Sequence, residues 1–206
     1  LLGWNPGDQR EIMAVEELVA SFDLSRVNKS NSLFDRKKLM AFNTEHIKLC
    51  KADRLLGYFK AYLKENNSPV AQADDALLAR LLKVNEGART LEQIEQKSRF
   101  AFMADDAIVY DDDAVKKVLL KNDGLVMLSV IAEGLQSLPE VTAESIENLL
   151  RGIAEQKQVG LGKIAQPLRV ALTGTTISPP IFDTVDILGL DRTLKRIALT
   201  ITKFNS

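Results

Sequence analysis

The sequence predicts an all-α protein, a helical bundle in two sub-bundles preceded by a helical N-terminal segment. Apolar residues recur at helical spacing through most of the chain, and no stretch alternates apolar and polar residues as a half-buried strand would. Aromatic residues are only 6% of the 206 residues, with 11 glycines and 6 prolines, so the composition favours helices over sheets. Hydrophobic residues account for 46%, which is ample for a buried core.

The first predicted helix runs from Asp8 to Phe22. Asp8 and Glu11 have the spacing of a capping box, in which two side chains satisfy free N–H groups at a helix start. The apolar residues that follow share one face, namely Ile12, Val15, Leu18 and Val19. An irregular connector, rich in Ser, Asn and basic residues, is predicted over residues 24–31.

Two further helices are predicted before the first strong breaker. One begins near Ser32 and directs the apolar residues Phe34, Leu39 and Met40 inward. The next spans Thr44 to Leu63 and ends at the Asn-Asn-Ser-Pro sequence of residues 66–69. Asp35 and Asn43 are expected to hold this region together by local hydrogen bonds, and Trp4 is expected in the core.

The middle of the chain predicts short helices and then a long apolar one. Two or three short helices fit residues 70–102, and Thr90 with Gln93 forms another candidate capping box. The acidic run 110–113 predicts a helix start, because carboxylates stabilise the positive end of the helix dipole. A strongly apolar helix is predicted over residues 114–134. We place the sub-bundle boundary in the acidic stretch, which gives three parts: 1–50, 51–113 and 114–206.

Three helices complete the prediction. Thr142 is expected to cap a helix through Gln156, after which Gly160 and Gly162 interrupt the chain. A helix over residues 163–172 should end near Gly174. Ser178 followed by Pro179 predicts another start, with a capping hydroxyl and then proline at the first helical position. Asp191 is expected to cap a last helix that reaches about Lys203.

The chemistry-bearing residues exclude several functional classes. Cys50 is the only cysteine, so no internal disulfide can form and a reducing, cytoplasmic location is expected. With His46 as the only histidine, a zinc site has too few soft ligands. The triplet 111–113 fits a solvated helix cap better than a cation site, because no matching carboxylate pattern follows. No phosphate-binding glycine loop, nucleophile motif or membrane-spanning apolar run is present, and we predict no catalytic residue.

Positive charge is concentrated in one block. Residues 26–64 carry ten basic and three acidic side chains, although the net charge of the chain is −1. Such a block can meet phosphates while the whole chain stays near neutral, but it also fits a solvated lysine-rich face. The chain also opens without a methionine and in the middle of a pattern, so we expect it to be part of a longer protein.

Several segments, in order, resemble the bacterial glutamyl-tRNA synthetases. Residues 1–7 are similar to a Leu-Leu-Gly-Trp-Ser-Pro-Gly segment of that family, and residues 26–30 to its Arg-Val-Ser-Lys-Ser. Residues 34–43 follow its Phe-Asp-x-x-Lys-Leu-x-x-x-Asn pattern. Residues 166–174 match Gln-Pro-Leu-Arg-Val-Ala-Leu-Thr-Gly in full, and the Ser-Pro pair at 178–179 follows. The resemblance covers nearly the whole chain.

The resemblance implies the C-terminal, tRNA-binding half of a class I enzyme that ligates glutamate to tRNA-Glu with ATP. The ATP and Mg²⁺ sites of that family belong to a catalytic domain upstream, so this chain should hold no cofactor and should not aminoacylate by itself. The expected partners are tRNA-Glu and the catalytic domain of the same polypeptide, and a monomer without membrane association is expected. An all-α anticodon region argues against the related glutaminyl enzymes, whose anticodon region is a β-barrel.

The resemblance also assigns residues. The anticodon is expected to meet Arg169, whose guanidinium can donate two hydrogen bonds to a base edge or stack on an unpaired base. The other residues expected at the anticodon are Ser178, Pro179, Ile181 and, more distantly, Arg89 near the third base. Contacts to the tRNA stem are expected from Arg26, Lys29 and Lys38. Two departures leave base preference open, because the family commonly has Arg at position 175 and Gly at position 180, whereas this chain has Thr and Pro.

Two alternatives remain open at the level of sequence. The same helical scaffold could be a protein-interaction module that does not bind RNA, which the near-neutral charge and Thr175 favour. The parent could also be a synthetase of the same family that acts on tRNA-Gln. An RNA-binding chain must lose affinity for tRNA as salt rises, which distinguishes it from a protein-interaction module. The preferred anticodon distinguishes a chain that binds tRNA-Glu from one that binds tRNA-Gln.

Overall fold

The structure, a computed structural model, describes residues 3–8, 10–29, 31, 33–121 and 123–205, and all regular structure in these ranges is helical. The all-α prediction is therefore confirmed. The α-helices are α1 (Val15–Ser21), α2 (Arg36–Leu49), α3 (Ala52–Glu65), α4 (Asp75–Val84), α5 (Leu91–Ser98), α6 (Asp112–Ala114), α7 (Gly124–Gln136), α8 (Ala143–Gln156), α9 (Leu161–Thr173), α10 (Ile181–Leu188) and α11 (Leu190–Phe204). Single 3₁₀ turns occupy Leu24–Arg26, Pro69–Gln72 and Arg99–Phe102, and a π-helical turn spans Val115–Leu119.

The helices bury two separate hydrophobic cores. The smaller core lies among α3, α4 and α5 and contains Phe59, Leu63, Val70, Leu78, Leu81, Ala88 and Ile94. The larger core is built by α7 to α11 together with the chain that leads into them. The change from one core to the other falls between Ile94 and Phe100. The three-part division at residues 50 and 113 stays a prediction.

Helix α9 lies at the centre of the larger core. It contacts α7, α8, α10 and α11, and it buries residues on more than one face, including Ile164, Leu168 and Leu172. Pro167 lies inside the helix and is also buried. A helix that is packed on most sides cannot move independently, so the backbone from which any solvent-facing side chain of α9 projects is held in a fixed position. Arg169 is such a side chain.

Local capping signals identified several helix ends correctly. The Thr142 hydroxyl accepts a hydrogen bond from the Ser145 N–H at 3.1 Å, and α8 ends at Gln156 as expected. Asp111 caps α6 by accepting from the Ala114 N–H at 2.7 Å, which confirms the cap interpretation of the acidic run. Thr90 likewise accepts from the Gln93 N–H at 3.1 Å.

The predicted start of the first helix is wrong. Asp8 does not cap a helix, because its carboxylate accepts hydrogen bonds from the backbone and the guanidinium of Arg10. Helix α1 begins at Val15, where Glu17 accepts from the Ala14 N–H at 2.9 Å. The predicted start at Ser32 lies outside the described residues, and α2 begins after Asp35, which caps it by accepting from two backbone N–H groups.

The predicted helix over Thr44–Leu63 is two helices. Cys50 and Lys51 are extended, so the chain turns between α2 and α3 without a glycine or proline. Tertiary packing gives the reason: α3 buries Phe59 and Leu63 in the smaller core, whereas α2 buries no residue completely. The prediction that Phe34 and Leu39 face a core is also wrong, since 59% and 50% of their surfaces are exposed.

Trp4 is only partly buried, and its ring packs against Phe22 with centroids 5.6 Å apart. Asn43 does form a hydrogen bond, but a distant one, to the carbonyl oxygen of Arg89. The N-terminal segment therefore packs locally and against the start of α5, and it has no core of its own among the described residues.

The apolar run 114–134 is interrupted rather than continuous. The π-helical turn ends at Leu119, Asp123 adopts a left-handed backbone with φ 59°, and α7 starts at Gly124. Only glycine fits at this start, because a Cβ on residue 124 would lie 2.1 Å from the carbonyl oxygen of Val118.

Three starts near the C-terminus are shifted. Gly160 precedes α9, so Gly162 lies inside that helix rather than before it. Helix α10 begins at Ile181, two residues later than predicted, and α11 begins at Leu190 with Asp191 in its first turn. The Ser178 hydroxyl does not cap α10, because it donates to the carbonyl oxygen of Pro179 at 2.6 Å.

Candidate nucleic-acid interface

Arg169 and Ser178, which the sequence places in one site, are in direct contact. Arg169 lies on α9 and is half-buried, and its Nε donates to the Ser178 Oγ at 2.9 Å. Ser178 belongs to the loop of residues 174–180 that joins α9 to α10 and returns toward Arg169. We call this loop the α9–α10 loop.

Gly174 sets the direction in which the α9–α10 loop leaves the helix. Its φ is 78°, a left-handed conformation that favours glycine, and a Cβ here would lie 2.1 Å from the carbonyl oxygen of Val109. Its N–H donates to the Val170 carbonyl oxygen at 2.8 Å, and its own carbonyl oxygen accepts from the Asp111 N–H at 2.8 Å. The predicted helix end at Gly174 is confirmed, and the loop is attached to the chain segment 109–111.

Hydroxyl groups stabilise the rest of the loop. Thr175 Oγ1 donates to the Ile177 carbonyl oxygen at 2.8 Å and accepts from the Ile177 N–H at 3.1 Å. Thr184, in the first turn of α10, donates to the Pro180 carbonyl oxygen at 3.0 Å. The loop therefore keeps a defined shape, and it exposes Thr176 and Ile177 at its surface.

The other predicted loop residues differ in accessibility. Pro179 and Ile181 are buried, and Ile181 belongs to the larger core with 4% of its surface exposed. Their side chains have no free surface for a base, so only their main chain can take the predicted role. Ile177, which sequence reasoning missed, is 67% exposed. An apolar side chain in a threonine-rich loop was the available signal.

Arg169 combines burial with a lack of counter-charge. Burial lowers the pKa of Arg169 from its ordinary value, and no other group contributes to that change. Within the part of the chain that the structure describes, no carboxylate pairs with Arg169, and its Nη1 and Nη2 groups have no hydrogen-bond partner. The planar guanidinium can donate two parallel hydrogen bonds to a pair of neighbouring oxygen or nitrogen acceptors.

A second arginine, Arg196 on α11, stabilises the C-terminal end of α9 by hydrogen bonds. Its side chain is 0% exposed, and it donates to the carbonyl oxygens of Leu172 at 2.6 Å and Phe100 at 2.9 Å. It also donates to Met103 O at 2.9 Å and to the Asp105 carboxylate at 2.8 Å. The end of α9 and the linker between the two cores are therefore fixed to α11. Sequence reasoning missed this arginine.

The Asp105 carboxylate also accepts a hydrogen bond from a second arginine, Arg192. Arg192 Nε donates to the same carboxylate oxygen at 3.0 Å, and its other nitrogens donate to the carbonyl oxygens of Ala101 and Met103. Burial by itself would raise the pKa of Asp105, but the hydrogen bonds from Arg196 and Arg192 outweigh it and hold that pKa below 3.8. We call Asp105, Arg192 and Arg196 the linker clamp.

The linker clamp predicts acid sensitivity. The pKa of Asp105 is lower in the folded chain than in the unfolded one, so its stabilisation is complete above about pH 4 and is lost as pH falls through the folded pKa. Replacing Asp105 with Asn should lower the free energy of unfolding at pH 7 and make its fall below about pH 5 shallower than in wild type. Denaturant unfolding at pH 7, 5, 4 and 3 measures both. Identical pH dependence in the two proteins would contradict the role of this carboxylate.

Arg89 lies in the region of the smaller core, next in sequence to the core residue Ala88. It is exposed immediately before α5, its N–H donates to Gln93 Oε1 at 2.9 Å, and its carbonyl oxygen accepts from Asn43. Its backbone is therefore held in place while its side chain is free. No hydrogen bond or ion pair among the described residues joins Arg89 to Arg169, which lies with the larger core.

The three predicted stem-contact residues have different environments. Arg26 donates to the carbonyl oxygen of Pro6 and so holds the N-terminal loop, in which Gly7 has φ 89°. Lys38 forms an ion pair with Glu11, so an acidic side chain already balances its charge. Lys29 is exposed. A cleft of about 460 Å³ opens beside Arg26 and Lys38.

The described residues contain neither a metal-binding cluster nor a membrane-spanning helix. No group of three or more His, Cys, Asp or Glu side chains is arranged to hold a metal ion in the described ranges. In those same ranges, no helix combines the length and the apolar character that crossing a membrane requires.

Comparison with known proteins shows the family of the chain. Residues 51–201 match the family model described as anticodon binding domain. The glutamate–tRNA ligase of Thermodesulfovibrio yellowstonii is 34% identical over 203 residues, which cover 95% of this chain and 42% of that protein. The ligase of Desulfosudis oleivorans is 37% identical, with coverage of 96% and 41%.

A solved structure has the same fold. The glutamate–tRNA ligase from Elizabethkingia meningosepticum superposes with a TM-score of 0.81 and 30% identity over 98% of this chain and 39% of that one. The chain thus spans about two fifths of the length of the relatives that it matches. On the family match, and with helical structure in the described residues, this chain belongs to the anticodon binding domain family, and it is similar to glutamate–tRNA ligases.

Proposed function

We propose that this chain binds tRNA-Glu and that Arg169, together with the α9–α10 loop, reads bases of the anticodon. The observation that carries the proposal is the half-buried Arg169 guanidinium, which donates to Ser178 at 2.9 Å and has no paired carboxylate among the described residues. Keeping a cation partly buried without a counter-charge costs free energy. An acceptor that arrives with a ligand would recover that cost.

Anticodon bases suit the chemistry of this site. They are unpaired, and proteins recognise such bases by hydrogen bonds to their edges and by stacking. The Nη groups of Arg169 supply paired donors, and the α9–α10 loop that contacts this arginine through Ser178 exposes apolar surface at Ile177 and Pro180. Because Thr175 adds no charge, base selection in this chain should depend mainly on Arg169. Arg89 would approach a third base from the side of the smaller core.

Phosphate contacts would position the tRNA without specifying its sequence. Residues 26–64 carry the excess of positive charge, and Lys29 is exposed and available. Arg26 and Lys38 take part in intramolecular contacts, so their contribution to stem binding should be smaller than that of Lys29.

For the parent protein we propose ligation of glutamate to tRNA-Glu with ATP and Mg²⁺, carried out by a catalytic domain of the same polypeptide. The present chain would then act as its RNA-binding part, without a cofactor of its own, in a monomeric cytoplasmic enzyme. The match to glutamate–tRNA ligases over at least 95% of this chain supports this assignment. If the parent protein acts on tRNA-Gln instead, this chain should prefer the anticodon of tRNA-Gln.

Binding of tRNA at several salt concentrations tests the proposal. We expect the 206-residue chain to bind a tRNA-Glu transcript with a log affinity that falls linearly with log salt, since bound phosphates release counterions. We also expect weaker binding to the same tRNA carrying a different anticodon. Fluorescence anisotropy measures both. Salt-independent binding would contradict RNA recognition, and tighter binding of tRNA-Gln would reassign the substrate.

A further inference from the structure

The residues proposed to read the anticodon lie with two different hydrophobic cores. Arg89 immediately precedes α5 of the smaller core, whereas Arg169 and Ser178 belong to the larger one. A three-base anticodon can meet both groups only if the cores keep a fixed separation and angle. Hydrogen bonds to base edges depend on geometry, so small rotations between the cores would misalign one group whenever the other is engaged.

The linker clamp fixes the linker to the larger core. Arg192 and Arg196 of α11 bind the carbonyl oxygens of Ala101 and Met103 and the Asp105 carboxylate, close to the point where the chain passes from one core to the other. Because these hydrogen bonds hold the linker and not the helices of the smaller core, they would by themselves leave a hinge at the linker, about which the smaller core could rotate.

A second connection lies away from the linker. Arg80 on α4 forms an ion pair with Asp186 on α10, across 106 residues of sequence. Beside it, Ile187 packs against both cores. Helix α4 leads through one short turn to Arg89, and α10 starts directly after the α9–α10 loop that contains Ser178. The ion pair therefore joins the two helices that lead to the two proposed base-reading groups.

We propose that the Arg80–Asp186 ion pair is a positioning contact, which closes the hinge between the cores and sets Arg89 and Arg169 at the separation that the anticodon requires. The inference rests on the proposed function. Both side chains are partly exposed, 38% for Arg80 and 27% for Asp186, and an ion pair of this kind contributes little to stability. Its effect should therefore appear in anticodon discrimination more than in unfolding.

Charge reversal separates positioning from simple electrostatics. The readout is the discrimination ratio, the dissociation constant for anticodon-swapped tRNA divided by that for tRNA-Glu. Arg80→Glu removes positive charge and should weaken binding to any RNA, whereas Asp186→Arg adds positive charge and should strengthen it. Both variants should nevertheless lower the discrimination ratio, on the order of three- to ten-fold. The double variant, Arg80→Glu with Asp186→Arg, restores a pair of opposite charges and should recover most of the ratio.

A matched control comes from the pair Lys60–Asp75, whose nitrogen and oxygen lie 2.6 Å apart within the smaller-core region. Lys60→Glu makes the same charge change as Arg80→Glu without touching the contact between cores, and it should leave the ratio unchanged. If wild type discriminates but both single variants keep its ratio, the positioning role is overturned and the proposed function stands. If wild type does not discriminate between anticodons, the proposed function and this inference both fail.

Discussion

Replacing Arg196 with methionine should lower the free energy of unfolding by about 3–5 kcal/mol, the largest stability effect that we expect from one substitution outside the apolar core. Methionine keeps much of the volume but donates no hydrogen bond. The change would leave the carbonyl oxygen of Leu172 without the arginine donor at 2.6 Å, and it would remove one of the two arginines that hydrogen-bond to Asp105. Buried acceptors that lose their donors retain the full cost of desolvation.

Chemical denaturation followed by circular dichroism measures the Arg196→Met effect. A matched control is Lys195→Met on the same helix, whose side chain is 63% exposed and whose nitrogen is 3.8 Å from Asp105. That variant should change stability by less than about 0.5 kcal/mol. Arg192 and Lys195 still face Asp105 in Arg196→Met, so the loss should come mainly from the buried carbonyl oxygens that lose their donor, and adding Asp105→Asn should not recover it. A loss below about 1 kcal/mol for Arg196→Met would contradict the role that we assign to the clamp.

Replacing Arg169 with alanine should weaken binding of tRNA-Glu by about 1–3 kcal/mol while leaving folding nearly unchanged. The side chain contributes one hydrogen bond inside the protein, to Ser178, so its removal affects the ligand more than the fold. Arg169→Lys keeps the charge but loses the planar pair of donors, so it should retain general RNA affinity and lose base preference.

Two further variants show whether the Arg169 effect depends on the position of the guanidinium or only on its charge. Ser178→Ala removes the partner that orients the guanidinium, and it should reproduce part of the loss without changing charge. Lys203→Ala removes an exposed cation at the end of α11 and should have little effect on anticodon preference. Equal losses for Arg169→Ala and Lys203→Ala would indicate a general charge effect.

Features encoded within a few residues were predictable from the sequence. Thr142 lies three residues before the N–H that it caps, and Gly174 directly follows the helix that it ends. Arg169 and Ser178 are nine residues apart, and both lie in segments with strong local signals. The resemblance at residues 166–174 and at the Ser-Pro pair 178–179 therefore named two residues that the structure brings into contact.

Features that depend on distant contacts were not predictable. Arg196 and Asp105 are 91 residues apart, and no pattern near either one announces the pair. The turn at Cys50 and Lys51 has no breaker residue and follows from where α3 finds its core. Phe34 and Leu39 are apolar and were expected in a core, but more than two fifths of each surface stays exposed. Periodicity shows which residues share a face and does not show what that face meets.

A thermodynamic cycle between Arg169 and the anticodon tests whether this side chain reads a base. Four dissociation constants are required, those of wild type and Arg169→Ala for tRNA-Glu and for the anticodon-swapped tRNA at one salt concentration. We expect the substitution to weaken binding of tRNA-Glu about five-fold or more and to leave binding of the swapped tRNA almost unaffected. Equal weakening of both tRNAs would make Arg169 a phosphate contact and would contradict anticodon reading by this site.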